Sequence, residues 1–65
     1  MIGLTDKERR TMDLLIEGRR DREIAEILGV SHRTVAHTVT RVCNKLGALT
    51  RAQAAAMFAS GSIGG

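Results

Sequence analysis

A single residue, Val30, separates a helix stop from a helix start within residues 21–46, and nothing else constrains this 65-residue chain as tightly. Ile24, Ala25 and Leu28 recur at the spacing of one helix face. Gly29 follows them and can take the left-handed conformation that ends a helix without a Cβ penalty. Ser31 then offers its hydroxyl to the exposed amides of the next turn. So short a connection makes the two helices cross steeply, as in a helix-turn-helix, with Val30 as the apolar plug between them.

The flanking segments read as two further helices. Thr5 and Glu8 have the spacing of a capping box, and Thr11, Met12, Leu15 and Ile16 follow at helical intervals up to Gly18. Leu4 precedes the cap, but Arg9 stands where its staple partner would be, so that motif is half present. Gly47 stops the third helix. Thr50 and Gln53 form a second capping box, which opens a helix through about Ala59. The helices are expected over about 5–17, 21–28, 31–46 and 50–59, in one all-α, tetrahelical domain over 1–59. Residues 60–65, rich in glycine and without periodicity, are expected to form a flexible tail.

This length allows one domain, near the lower limit for folding unaided. A single cysteine and the lack of any CxxC or His/Cys cluster leave neither disulfides nor structural zinc to help. His32 and His37 lie on different faces, so no metal site is expected, and no cofactor. Cys43 flanks the inner stripe of the third helix and reads as a small core residue, and Met12 and Met57 read as packing residues. No run of residues approaches the ~20 apolar side chains needed to cross a bilayer. Nor does the N-terminus look like a signal peptide, so a cytoplasmic location without membrane contact is expected. Paired carboxylates, a nucleophile–base set and a phosphate-cradling glycine loop are all missing, and catalysis is not expected.

Charge is unevenly spread. Residues 1–18 carry three basic and four acidic side chains (net −1), whereas residues 19–51 carry seven basic and three acidic ones (net +4). The excess falls on the helix-turn-helix segment, as an electrostatic footprint for phosphates should. At roughly 100° per residue, Val35, Val39, Val42 and Leu46 share a sector of about 60° on the third helix. Arg33, His37, Thr40, Arg41 and Asn44 lie opposite, and Ala36 sits on the border. The fourth helix is apolar all round through Ala52, Ala54, Ala55, Ala56, Met57, Phe58 and Ala59. Such a helix calls for burial on two sides, one of them against a second copy, unless it is a high-propensity alanine helix whose methyl groups are simply exposed.

Together these segments resemble the LuxR-type, GerE-like helix-turn-helix of the NarL/FixJ response regulators. The matching elements are Leu4-Thr5-x-x-Glu8, Glu17-Gly18, Glu23-Ile24-Ala25, Leu28-Gly29-Val30-Ser31, Arg33-Thr34-Val35, Lys45-Leu46-Gly47 and Arg51-Ala52-Gln53-Ala54. They span residues 4 to about 58. Each is weak alone, but their order and spacing are specific. The resemblance implies a bacterial transcription regulator that binds pseudo-palindromic double-stranded DNA as a homodimer, with the third helix in the major groove and the fourth pairing the subunits. The isolated domain could be monomeric. RNA polymerase is a further candidate partner, and whole proteins of this type carry a receiver or ligand-sensing domain.

Carried over position by position, the resemblance places Ala36 and Thr40 at the bases, and the outward face of the third helix adds Arg33 and His37 as base-contacting candidates. The resemblance places Arg20, Thr34 and Thr38 at phosphates; Arg22, Arg41, Asn44 and Lys45 join them as polar or basic groups of the same segment, and the apolar fourth helix offers Ala54, Met57 and Phe58 as the dimer interface. The chain departs from the pattern at Ala36, usually lysine; at Thr38, often histidine, here with His37 beside it; at Arg41, usually asparagine; and at Arg20, usually serine or threonine. Two rival readings stand beside it. A module like region 4 of a sigma factor shares the helix-turn-helix but not the capped fourth helix after Lys45-Leu46-Gly47. A protein-interaction domain with weakened DNA binding would explain the lost lysine at Ala36.

Overall fold

The caps set the four helices. In the computed structural model, which describes residues 3–60, the elements are α1 (Asp6–Ile16), α2 (Asp21–Leu28), α3 (His32–Leu46) and α4 (Arg51–Ala59), with no strand among the described residues. Ahead of α1 the capping box closes both ways. Thr5 Oγ1 accepts from the Glu8 amide at 3.1 Å, and Glu8 Oε1 accepts from the Thr5 amide at 2.8 Å. Arg20 has no side-chain oxygen to cap α2, but its own amide donates to Glu23 Oε1 at 2.9 Å, so half of a box survives. Ser31 Oγ accepts from the Thr34 amide at 3.1 Å and opens α3. Thr50 Oγ1 likewise accepts from the Gln53 amide at 3.0 Å. The return bond differs from the expected box, because Gln53 Oε1 takes the Leu49 amide at 2.7 Å rather than that of Thr50. Its reach extends one residue further into the loop.

Gly29 ends α2 at φ 70°, and the Val30 amide folds back onto the Ala25 carbonyl at 3.0 Å. That bond and the positive φ make the turn tight, and a side chain at position 29 would be strained there. Val30 is half-buried and packs between the two helices on Ile24, Ala25, Val35 and Val39.

Two apolar clusters meet along α3. Met12, Val42, Leu46 and Ala54 form one between α1, α3 and α4, and Ile24, Ala25, Val35 and Val39 form the other between α2 and α3. Leu15 and Cys43 pack against both and join them into a single core. The four-residue stripe expected on α3 is therefore its buried side. Ile16, expected on the inner face of α1, is instead 42% exposed, and Leu14 packs on the α2–α3 cluster. Leu14 and Leu15 straddle the seam between the clusters, which leaves Ile16, a further 100° around, directed at solvent.

The fourth helix buries one side only. Ala54 is 0% exposed; Ala55, Met57 and Phe58 pack half-buried on the same cluster; Ala52, Ala56 and Ala59 face outward. The tail expected over 60–65 lies, apart from Ser60, outside the described residues.

Candidate nucleic-acid interface

With its valines held inward, α3 has no freedom in what it shows outward. Arg33, Ala36, His37, Thr40, Arg41 and Asn44 are all exposed along one side of the helix. Thr34 is exposed beside the Ser31 cap, its hydroxyl 3.0 Å from Ser31 Oγ. At the start of α2, Arg20 and Arg22 are exposed and line a shallow depression together with Glu23. Among the described residues Arg20, Arg22, Arg33 and Arg41 make no ion pair, so their guanidinium groups keep all their donors for a ligand. Arg19 differs, since Glu17 and Glu23 lie 3.5 and 3.9 Å from it.

Two residues expected at phosphates are engaged inside the domain. Thr38 is buried, and its hydroxyl donates to the Thr34 carbonyl at 2.8 Å, one helical turn back. Lys45 Nζ donates to Glu8 Oε1 at 2.8 Å and to the Gly3 carbonyl at 3.0 Å. Glu8 is 1% exposed, and its Oε2 is buried without a hydrogen-bond partner among the described residues. Burial pushes the Glu8 carboxyl up, but hydrogen bonds from Lys45 and Thr5, with the Lys45 charge, outweigh it and hold the group below its ordinary value of 4.5. Lys45 is thus the counter-ion of a buried acid. Ala54, placed at the dimer interface, is likewise in the core and unavailable to a second copy, while Met57 and Phe58 lean on that core.

Two features escape sequence reasoning. The local pattern shows Glu8 only as a cap, although a carboxylate on a face shared with Met12 and Leu15 invites a buried cation partner. Arg51 donates through both terminal nitrogens to Asp21, at 2.8 and 3.0 Å, across a sequence separation that no local pattern reveals. Asp21, chiefly by hydrogen bonding, holds the Arg51 guanidinium above its ordinary value. A groove of about 360 Å³ runs beside the exposed side of α3, between Ala36, Thr40 and Asn44 on one bank and Leu49, Thr50 and Arg51 on the other. Among the described residues no three His, Cys, Asp or Glu side chains gather as a metal site would require, and no helix is long and apolar enough to cross a membrane.

A tight helix-turn-helix packed on an N-terminal helix and closed by a fourth defines a tetrahelical helix-turn-helix domain. Residues 3–58 match the model of the luxR family of bacterial regulatory proteins, and the chain belongs to that family, one of transcription regulators rather than enzymes. It is 43% identical over 53 residues to the DNA-binding transcriptional activator DevR/DosR of Mycobacterium tuberculosis, covering 82% of this chain and 24% of that protein. It is 40% identical over 61 residues to the transcriptional activator protein AhyR of Aeromonas hydrophila, covering 94% of this chain and 24% of that one. The spore germination protein GerE of Bacillus subtilis is 37% identical over 51 residues, 78% of this chain and 69% of GerE. The chain spans about a quarter of the length of the first two relatives. No solved structure matches it significantly.

Proposed function

We propose that this domain binds double-stranded DNA as the reading head of a transcription regulator, with α3 in the major groove. The observation that carries the reading is the division of α3. One side is locked into the core by Val35, Val39, Val42 and Leu46, and the other offers Arg33, His37, Thr40, Arg41 and Asn44 to solvent. In this reading Arg33, His37 and Thr40 address base edges, with Ala36 as a small apolar neighbour. Arg20, Arg22, Thr34, Arg41 and Asn44 address the backbone, as phosphate contacts that orient the helix. Lys45 and Thr38 drop out of that set because their polar groups are spent internally.

Selection from a random duplex pool tests the reading, and a two-fold symmetric consensus is expected. Alanine at both His37 and Thr40 should relax the preference at one or two positions of each half-site, each base-edge interaction being worth about 1–3 kcal/mol. An unchanged consensus would exclude these side chains from base readout. Failure to select any sequence, together with no binding at low salt, would favour a protein-interaction role.

Pairing of two copies is assigned to the outward stripe of α4, Ala52, Ala56 and Ala59, rather than to Ala54. This stripe is far smaller than the ~800 Å² per partner of a standard interface. The domain alone is therefore expected to be monomeric, with the contact acting on DNA, where adjacent half-sites raise the effective concentration. Ala56→Glu should retain its helical circular dichroism and half-site affinity while losing cooperativity on a full site. Ala54→Glu, which drives a charge into the core, should unfold the domain. Intact cooperativity in a folded Ala56→Glu variant would remove α4 from the pairing surface.

A further inference from the structure

We propose that Asp21 and Arg51 are a positioning pair that sets the offset between the DNA-facing end of α2 and the pairing helix α4, and so selects the half-site separation this domain accepts. The inference rests on the DNA-binding and pairing roles assigned above.

Its basis is where the pair lies. α2 packs on α1 and α3, and α4 also packs on α1 and α3, yet among the described residues α2 and α4 do not pack on one another. Asp21 is the first residue of α2 and Arg51 the first of α4. The guanidinium bridges the gap, with Nη1 on Asp21 Oδ1 at 2.8 Å and Nη2 on Oδ2 at 3.0 Å. Two parallel bonds between planar groups fix direction as well as distance, which a lysine could not do. Asp21 is itself held in place, because a carboxylate in the first turn faces the positive end of its helix. On either side of it stand Arg20 and Arg22, which carry no ion pair of their own among the described residues.

The pair is half-exposed, and such pairs add little to stability. What it supplies is geometry. When two copies dock on one duplex, the separation of their recognition helices is set by the offset from groove to pairing surface within each copy, taken twice. Rocking of α4 on the α1–α3 layer would change that offset, and the Asp21–Arg51 fork opposes the rocking from its far end.

The full chain is tested on duplexes carrying two inverted copies of the half-site recovered by selection, with their separation varied one base pair at a time. The unaltered protein is expected to favour one separation by about tenfold over its neighbours, a discrimination comparable to one mismatched base pair. Arg51→Gln should flatten that preference while half-site affinity and melting temperature stay near those of the unaltered protein. Asp21→Arg combined with Arg51→Asp, which re-forms the pair in reverse, should restore it, whereas Arg51→Lys, with charge but no fork, should restore only part. A sharp preference retained by Arg51→Gln overturns the proposal. So does an equal loss on half-sites and full sites, which would make Arg51 a phosphate ligand instead. An unaltered protein that binds half-sites without preferring a separation also overturns it, leaving the DNA reading intact. One that binds no duplex overturns that reading as well.

Discussion

Lys45→Met is expected to cost about 3 kcal/mol and to leave the domain only marginally stable at neutral pH. The ammonium is the counter-ion of Glu8, whose carboxylate is 1% exposed and whose second oxygen has no hydrogen-bond partner among the described residues. Removing one member of a buried pair costs about 3–5 kcal/mol, because the other charge stays desolvated and alone. A single core of this size rarely supplies more than about 3–5 kcal/mol in total, so the loss takes most of the domain's stability. Lys45 is 32% exposed on its side chain, which puts the expected loss at the lower end, about 3 kcal/mol. Urea titration followed by circular dichroism measures it. Glu8→Gln combined with Lys45→Met should recover much of the loss, since the unpaired buried charge is then gone. A single variant within about 0.5 kcal/mol of the unaltered protein would place the pair among ordinary surface bridges.

The same pair fixes a pH dependence. The folded-state pKa of Glu8 lies below its ordinary value of 4.5, so folding favours the ionised form. Its contribution is present above about 4.5 and is lost as pH falls through the depressed value. Lys45→Met withdraws the strongest of the influences holding the pKa down and leaves the opposing effect of burial in place. The acid-side loss attributable to Glu8 should therefore shrink in that variant.

What the chain makes legible is what neighbours along it decide. Thr5, Ser31 and Thr50 cap helices because the amide each hydroxyl accepts lies three residues away, and Gly29 and Gly47 stop them by backbone freedom alone. The buried stripe on α3 follows from a periodicity of 3.6 and needs no knowledge of what covers it. In sequence Lys45 looks free because its partner lies 37 residues away on another helix, and Arg51 because Asp21 is 30 residues away. Thr38 is placed at a phosphate by resemblance alone, since the position is often histidine in the family. Its hydroxyl satisfies itself on the Thr34 carbonyl, which lets the methyl-bearing side chain enter the core. Ala54 shows the complementary failure. In a helix apolar all round, composition carries no phase, and only the cluster formed with Met12, Val42 and Leu46 shows which side is inner.

Affinity of the unaltered domain for a half-site duplex is expected to fall by about fortyfold when salt rises from roughly 50 to 200 mM. Three guanidinium groups assigned to the backbone, those of Arg20, Arg22 and Arg41, are exposed and without ion pairs among the described residues. If each displaces one condensed counterion, the slope of log affinity against log salt is about 3 × −0.9, near −2.7. Thr34 and Asn44 are neutral, so their hydrogen bonds to the backbone leave the slope unchanged. Arg41→Ala should make it shallower by about 0.9 while weakening all sequences alike, as removal of a phosphate ligand does. Lys45 and Arg51 supply an internal control, because both cations are neutralised within the domain by Glu8 and Asp21. Were those pairs to open on binding, two further counterions would be released and the slope would steepen to about −4.5. Fluorescence anisotropy across a salt series separates the two values. A flat series would mean that the arginines do not meet phosphates, and would remove DNA from the account of this surface.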